Sequence, residues 1–129
     1  MIVIDASVVL HAILDGRKDR QFMERLEQHD ELIAPELIML EVTNGIRRQL
    51  RLNQLTLERA ADAVEDLQTY PILCKPIYKL VSRIWQFRNN FTPYDAAYVA
   101  LAEDYGISFL TRDQKLAAAI KAHTKVELI

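Results

Sequence analysis

Residues 1–10, MIVIDASVVL, decide how the whole chain is read. Ile2, Val3 and Ile4 form a short β-branched run suited to a buried strand, and DASVVLHAIL follows with the apolar spacing of a helix. A buried strand that runs straight into a helix is how an α/β domain begins. Asp5 stands at the junction, where a carboxylate either caps the helix or binds a ligand. The choice depends on whether other acids occupy comparable places later in the chain.

Working outward, Phe22, Met23 and Leu26 carry helical spacing within a charged segment, and ELIAP (31–35) reads as a second strand stopped by Pro35. The pattern from Glu36 to Leu52 is helical, and TLERAADAVEDLQ (56–68) is a further amphipathic helix. YPILCKP (70–76) is a weaker strand between two prolines, and IYKLVSRIWQFRN (77–89) continues as helix. TPYDAAYVALAEDYG (92–106) is a capped, alanine-rich helix closed by Gly106. ISFL (107–110), a helix from about Arg112 and the strand KVELI (125–129) follow. Strands separated by helices pair in parallel. The predicted architecture is therefore a three-layer α/β/α, Rossmann-like domain, with a central, mainly parallel sheet of four to five strands. It spans residues 1–129 as one unit, a length that suits a single core.

Composition narrows the function classes. Half the residues are hydrophobic and 26% are charged, which is globular composition, and the formal charge of −2 provides no overall basic field. Contact with nucleic acid must then use local patches. Cys74 is the single cysteine, which excludes an internal disulfide framework and a cysteine-rich zinc site. No uncharged apolar run approaches the ~20 residues of a membrane helix, and no positive leader precedes the apolar start. A soluble cytoplasmic protein with no membrane association is the expectation.

In a doubly wound sheet, ligands bind beyond the carboxyl ends of the strands, where strand order reverses. Asp5 follows the first strand and Asp113 follows ISFLT, so both should reach the same rim. Taken singly, each has a capping role open to it: Asp5 or Ser7 for the first helix, Thr111 with Asp113 for the last. In TPYD, Thr92 suits the N-cap, Pro93 the first helical position and Asp95 the third. Glu41 interrupts the apolar ELIMLEV (36–42), and a buried lone carboxylate is costly unless paired or bound to a cation. Gly45, one turn on, either leaves clearance for a ligand or lets the helix pack tightly on the sheet.

The ordered set VIDASV (3–8), LEVTNGIRR (40–48), TPYDAAYVALAE (92–103) and LTRDQKLA (110–117) resembles the PIN-domain ribonucleases. Within them it is most similar to the VapC-type toxins of toxin–antitoxin pairs, and the resemblance covers essentially the whole chain. It implies that Asp5, Glu41, Asp95 and Asp113 are the catalytic, metal-binding acids, with Ser7 and Thr111 steadying them. It also implies endonucleolytic hydrolysis of RNA leaving a 5′-phosphate and a 3′-hydroxyl, a small cognate antitoxin as partner, and a homodimer. The donor chemistry agrees, because hard cations such as Mg²⁺ or Mn²⁺ prefer carboxylate oxygens whereas zinc asks for histidine or cysteine. His11, His29 and His123 are scattered and receive no ligand role.

For RNA contact, Arg47 and Arg51 share a helical face with Arg48 beside them, and Lys79 with Arg83 is a weaker pair of the same kind. A solvated face paired with nearby acids is the competing explanation. Tyr94, Tyr98 and Trp85 have the shape to stack on bases or to fill core. Two rival functions stand beside the nuclease. One is a PIN-fold RNA- or protein-binding module without catalysis. The other is a Rossmann-like phosphohydrolase using Asp5 as nucleophile, although DASVV lacks the second aspartate two residues on that haloacid-dehalogenase-like phosphatases carry.

Overall fold

Three successive apolar side chains leave neither face of the first strand polar, and β1 (Ile2–Ile4) is accordingly buried throughout. In the computed structural model, which describes residues 1–129, β1 pairs in parallel with β2 (Leu32–Pro35) on one side and β4 (Phe109–Leu110) on the other. β3 (Ile72–Lys75) pairs in parallel with β2, giving the order β3-β2-β1-β4. The register sets Val3 between Ile33 and Phe109. β3 is the half-exposed edge, and the flanking Pro71 and Pro76 blunt it against pairing with another chain.

Helices α1 (Ala6–Asp15) and α2 (Arg20–Glu27) connect β1 to β2, and α3 (Ile38–Arg51) and α4 (Leu57–Gln68) connect β2 to β3. α5 (Val81–Gln86) and α6 (Pro93–Tyr105) lead from β3 back across the sheet to β4, and α7 (Gln114–His123) follows. α1, α3 and α4 pack on one another, while α6 lies on β1 and β2 with α5 against it. Every residue from Ala96 to Ala102 is buried: its four alanines let the helix approach its neighbours closely, while Tyr98, Val99 and Leu101 fill core. The chain steps outward from β1 to β3 and then returns to the other side of β1. Strand order therefore reverses between β1 and β4, and their carboxyl ends flank the crevice.

Most predicted elements are present, with three departures. Residues 77–89 do not form one helix: a 3₁₀ turn (Tyr78–Leu80) precedes the six-residue α5. The Phe87 N–H then lies against the Arg83 and Ile84 carbonyls, which tightens the chain and turns Phe87 and Phe91 inward. Their rings pack edge to face at 5.4 Å. KVELI is not a full strand, since β4 is only two residues long and offers one parallel bridge, from Phe109 to Leu128. The last helix begins at Gln114 rather than Arg112, because Thr111–Asp113 forms a turn committed to side-chain bonds.

Candidate active site

Asp5 is the only charged residue in the buried core, 6% exposed, delivered there by the buried β1. It does cap α1: Oδ1 accepts the Val8 N–H at 3.2 Å and the Ser7 hydroxyl. Its second oxygen, Oδ2, accepts the Thr111 hydroxyl from the end of β4. Capping the helix thus leaves Asp5 at the carboxyl end of β1, on the rim between β1 and β4. Ser7 Oγ in turn accepts the Arg112 N–H at 2.9 Å, and Thr111 Oγ1 accepts the Asp113 N–H at 3.0 Å. Burial pushes the Asp5 carboxyl above its usual range, against the lowering effect of these donors.

Glu41 sits in the first turn of α3, half-buried, and its Oε1 accepts the Tyr98 hydroxyl at 2.5 Å. Burial raises its pKa, the Tyr98 bond opposes the rise, and the charges of Asp95 and Asp5 add to it. Asp95 lies in the first turn of α6, where Thr92 caps the helix by accepting the Asp95 N–H at 3.2 Å. Its carboxyl is raised by burial first and then by the charges of Asp113 and Asp5. Asp113 caps α7, with Oδ1 accepting the Lys115 and Leu116 N–H groups at 3.0 and 3.1 Å. The fold therefore brings Asp5, Glu41 and Asp95 within reach of one another's charge, and Asp113 within reach of Asp95.

The four acids do not form a closed cage: no three Asp, Glu, His or Cys side chains are placed to hold a metal ion by themselves. Within the set, Asp5 has both oxygens hydrogen-bonded to hydroxyls, Glu41 has one bonded to Tyr98, and Asp113 has one bonded to backbone. The remaining donors are all oxygens, open and mutually repelling. They fit a hard ion such as Mg²⁺, which keeps several waters and uses one or two carboxylates, and not zinc.

Other predicted residues separate. Arg47, Arg48 and Arg51 are exposed and make no ion pair; with Asn44 and Leu52 they line a shallow depression on α3. Arg83, by contrast, is not a free cation: it bonds Glu103 through two nitrogens at 2.8 and 3.0 Å and lies over Phe87. Lys79 rests over Tyr78. Tyr98 is 1% exposed and cannot stack on a base, whereas Tyr94 and Trp85 are exposed. Gly45 faces Leu10 of α1, where an added Cβ would come within 2.9 Å of Cδ2. Its role is helix packing, on α1 rather than on the sheet. His11 is engaged by Asp19 at 2.8 Å and by Asp15, and no histidine contacts the four acids.

Sequence reasoning missed the Tyr98–Glu41 bond; its signal was the spacing of three from Asp95, which sets both on one face of α6. A broad groove lies at the opposite end of the sheet, beside Met1 and Ser108, where Arg83 and Glu103 satisfy each other. It is remote from the carboxylates and holds no comparable group of acids.

The family model for the PIN domain matches residues 2–121. Ribonuclease VapC9 of Mycobacterium tuberculosis is 35% identical, with 100% of this chain and 98% of the relative aligned. Among solved structures, PAE2754 from Pyrobaculum aerophilum superposes with a TM-score of 0.70 at 23% identity, covering 98% of this chain and 81% of that one. Mycobacterium tuberculosis VapC20, a sarcin–ricin-loop-cleaving toxin, superposes with a TM-score of 0.67 at 16% identity, covering 92% of this chain and 95% of that one. At those identities the two structures bear on the fold alone.

Proposed function

Because the chain belongs to the PIN-domain family, we propose that it is a metal-dependent endoribonuclease that hydrolyses RNA phosphodiester bonds, and the toxin of a toxin–antitoxin pair. The observation that carries this is the meeting of Asp5, Glu41 and Asp95 at the strand-order reversal, each raised by burial and two of them by the others' charge. Asp5, Glu41, Asp95 and Asp113 would hold Mg²⁺ or Mn²⁺. Such an ion, when bound, makes a water more acidic and neutralises charge on the phosphodiester.

The chain's own residues position and protonate. Ser7 and Thr111 fix Asp5, Tyr98 fixes Glu41, and the carboxylates are the groups at the rim able to take a proton from the attacking water. Arg48 lies two helical turns beyond Glu41, about 10 Å along α3, so an RNA strand leaving the acids would meet Arg48, then Arg47 and Arg51. Tyr94, exposed beside Asp95, offers a stacking face. A small antitoxin, a second copy of this chain and a cytoplasmic setting complete the proposal. Asp5 as a covalent nucleophile fits poorly, since a phosphorus centre would have to approach in line with an oxygen of a side chain only 6% exposed.

Cleavage of a mixed RNA pool tests this directly. The chain should cut with Mg²⁺ or Mn²⁺ and stop with chelator, and Asp5→Asn or Asp95→Asn should abolish cutting. Undiminished cleavage by both variants would reject the site. RNA binding without cleavage under every ion would favour a non-catalytic module.

A further inference from the structure

We propose that Tyr98 is a positioning residue that fixes the orientation of Glu41, biases it toward binding an ion through one oxygen, and thereby tunes the acidic site for a small octahedral cation over Ca²⁺. This rests on the metal-dependent reading given above. Tyr98 projects from α6 one turn beyond Asp95, and its ring lies 6.2 Å from that of Phe109, centroid to centroid. A buried aromatic ring on two torsions holds its hydroxyl at a fixed point. That hydroxyl donates to Glu41 Oε1 at 2.5 Å across the gap between α6 and α3. Oε1 keeps a second lone pair, but rotating Glu41 so that both oxygens face one ion would pull it off the fixed hydroxyl and leave a buried phenol unpaired.

Asp5 is held more fully, with the Thr111 hydroxyl on one oxygen and the Ser7 hydroxyl on the other. Two acids on different elements are thus kept from turning both oxygens squarely to one ion. Ca²⁺ takes six to eight oxygens and often uses a carboxylate through both, whereas Mg²⁺ demands a near-ideal octahedron and keeps waters. Single-oxygen ligation favours the second ion. Outer partners of metal ligands commonly change affinity by about 10–100-fold when removed, so the effect is measurable.

The test is calorimetric titration of the full chain with Mg²⁺ and with Ca²⁺ at pH 7. Parent, Tyr98→Phe, Glu41→Gln and the double variant are compared. Tyr98→Phe should shift the affinity ratio toward Ca²⁺ by about tenfold, and the same change in the Glu41→Gln background should leave the ratio unmoved. An unmoved ratio in Tyr98→Phe, or an equal shift without Glu41, overturns the proposal. Should Tyr98→Phe fail to fold, infrared spectra of the parent carry the test: the Glu41 carboxylate, assigned by difference from Glu41→Gln, should show the wide stretch splitting of single-oxygen ligation with Mg²⁺, and the narrow splitting of two-oxygen ligation would overturn the proposal. If the parent binds neither ion, the metal-dependent reading itself falls and this proposal with it, a result distinct from an unmoved ratio.

Discussion

Replacing Asp5 with asparagine should make the metal-free protein more stable, although it removes the residue most central to the site. Most of the hydrogen bonds survive the change, and the Thr111 hydroxyl, turned into an acceptor, redirects its own proton toward Ser7 Oγ, 3.5 Å away. An amide oxygen accepts from Val8 N–H and Ser7 as Oδ1 does, and the amide nitrogen donates to Thr111 Oγ1 in place of the bond now made to Oδ2. What disappears is a charge held in a site 6% exposed. The folded-state pKa of Asp5 is raised, so the native chain binds more protons than the unfolded chain as pH passes above 3.8, and this group's contribution to stability falls as pH rises through that window. Removing a buried charge while keeping its hydrogen bonds should give a net stabilisation of about 1 kcal/mol at pH 7, the ordinary size of a single-site effect, or about 3–5 °C in melting temperature for a domain of this size. Urea unfolding with chelator at pH 7 and at pH 3.5 measures it: Asp5→Asn should exceed the parent at pH 7, and the gap should close at pH 3.5. Mg²⁺ should stabilise the parent and leave the variant unchanged. A variant less stable than the parent by 1 kcal/mol or more at pH 7 would show that Asp5 is structurally required in its charged form.

Two further outcomes follow from the α3 face. Gly45→Ala gains about 1 kcal/mol of helix propensity and pushes only the flexible end of Leu10; RNA cleavage should be retained, with stability within about 1 kcal/mol of the parent. Loss of cleavage at unchanged stability would instead mean that Gly45 clears space for a ligand. Arg47→Ala, Arg48→Ala and Arg51→Ala should each weaken RNA binding, and each should lower the salt slope by about 0.7, while Mg²⁺ affinity measured by calorimetry stays fixed. Unaltered RNA binding in all three would return these arginines to the solvated surface.

The fold was legible where local pattern and tertiary demand agree. The β-branched Ile2–Ile4, the prolines around β3, and Thr92, Pro93 and Gly106 bounding α6 each dictate their element with little outside help. Legibility failed where tertiary packing overrode the pattern. The helical run 77–89 was broken by the need to bury Phe87 and Phe91, and the final apolar residues had only a two-residue β4 to pair with. At the site, carboxylates at strand ends and helix starts could be placed from the doubly wound topology. What could not be read was the use of their individual oxygens, because a hydroxyl from Thr111 or Tyr98 reaches Asp5 or Glu41 across 106 and 57 residues of sequence. Arg83 misled because its partner, Glu103, lies 20 residues away on another helix.

Convergence of the acids on a hard cation can be tested by following assigned backbone amide resonances while Mn²⁺ is added below stoichiometry. Paramagnetic broadening should fall together on residues near Asp5, Glu41, Asp95 and Thr111, and it should be absent in Asp95→Asn. Broadening centred instead on Met1, Ser108 and His123, at the other end of the sheet, would contradict the account.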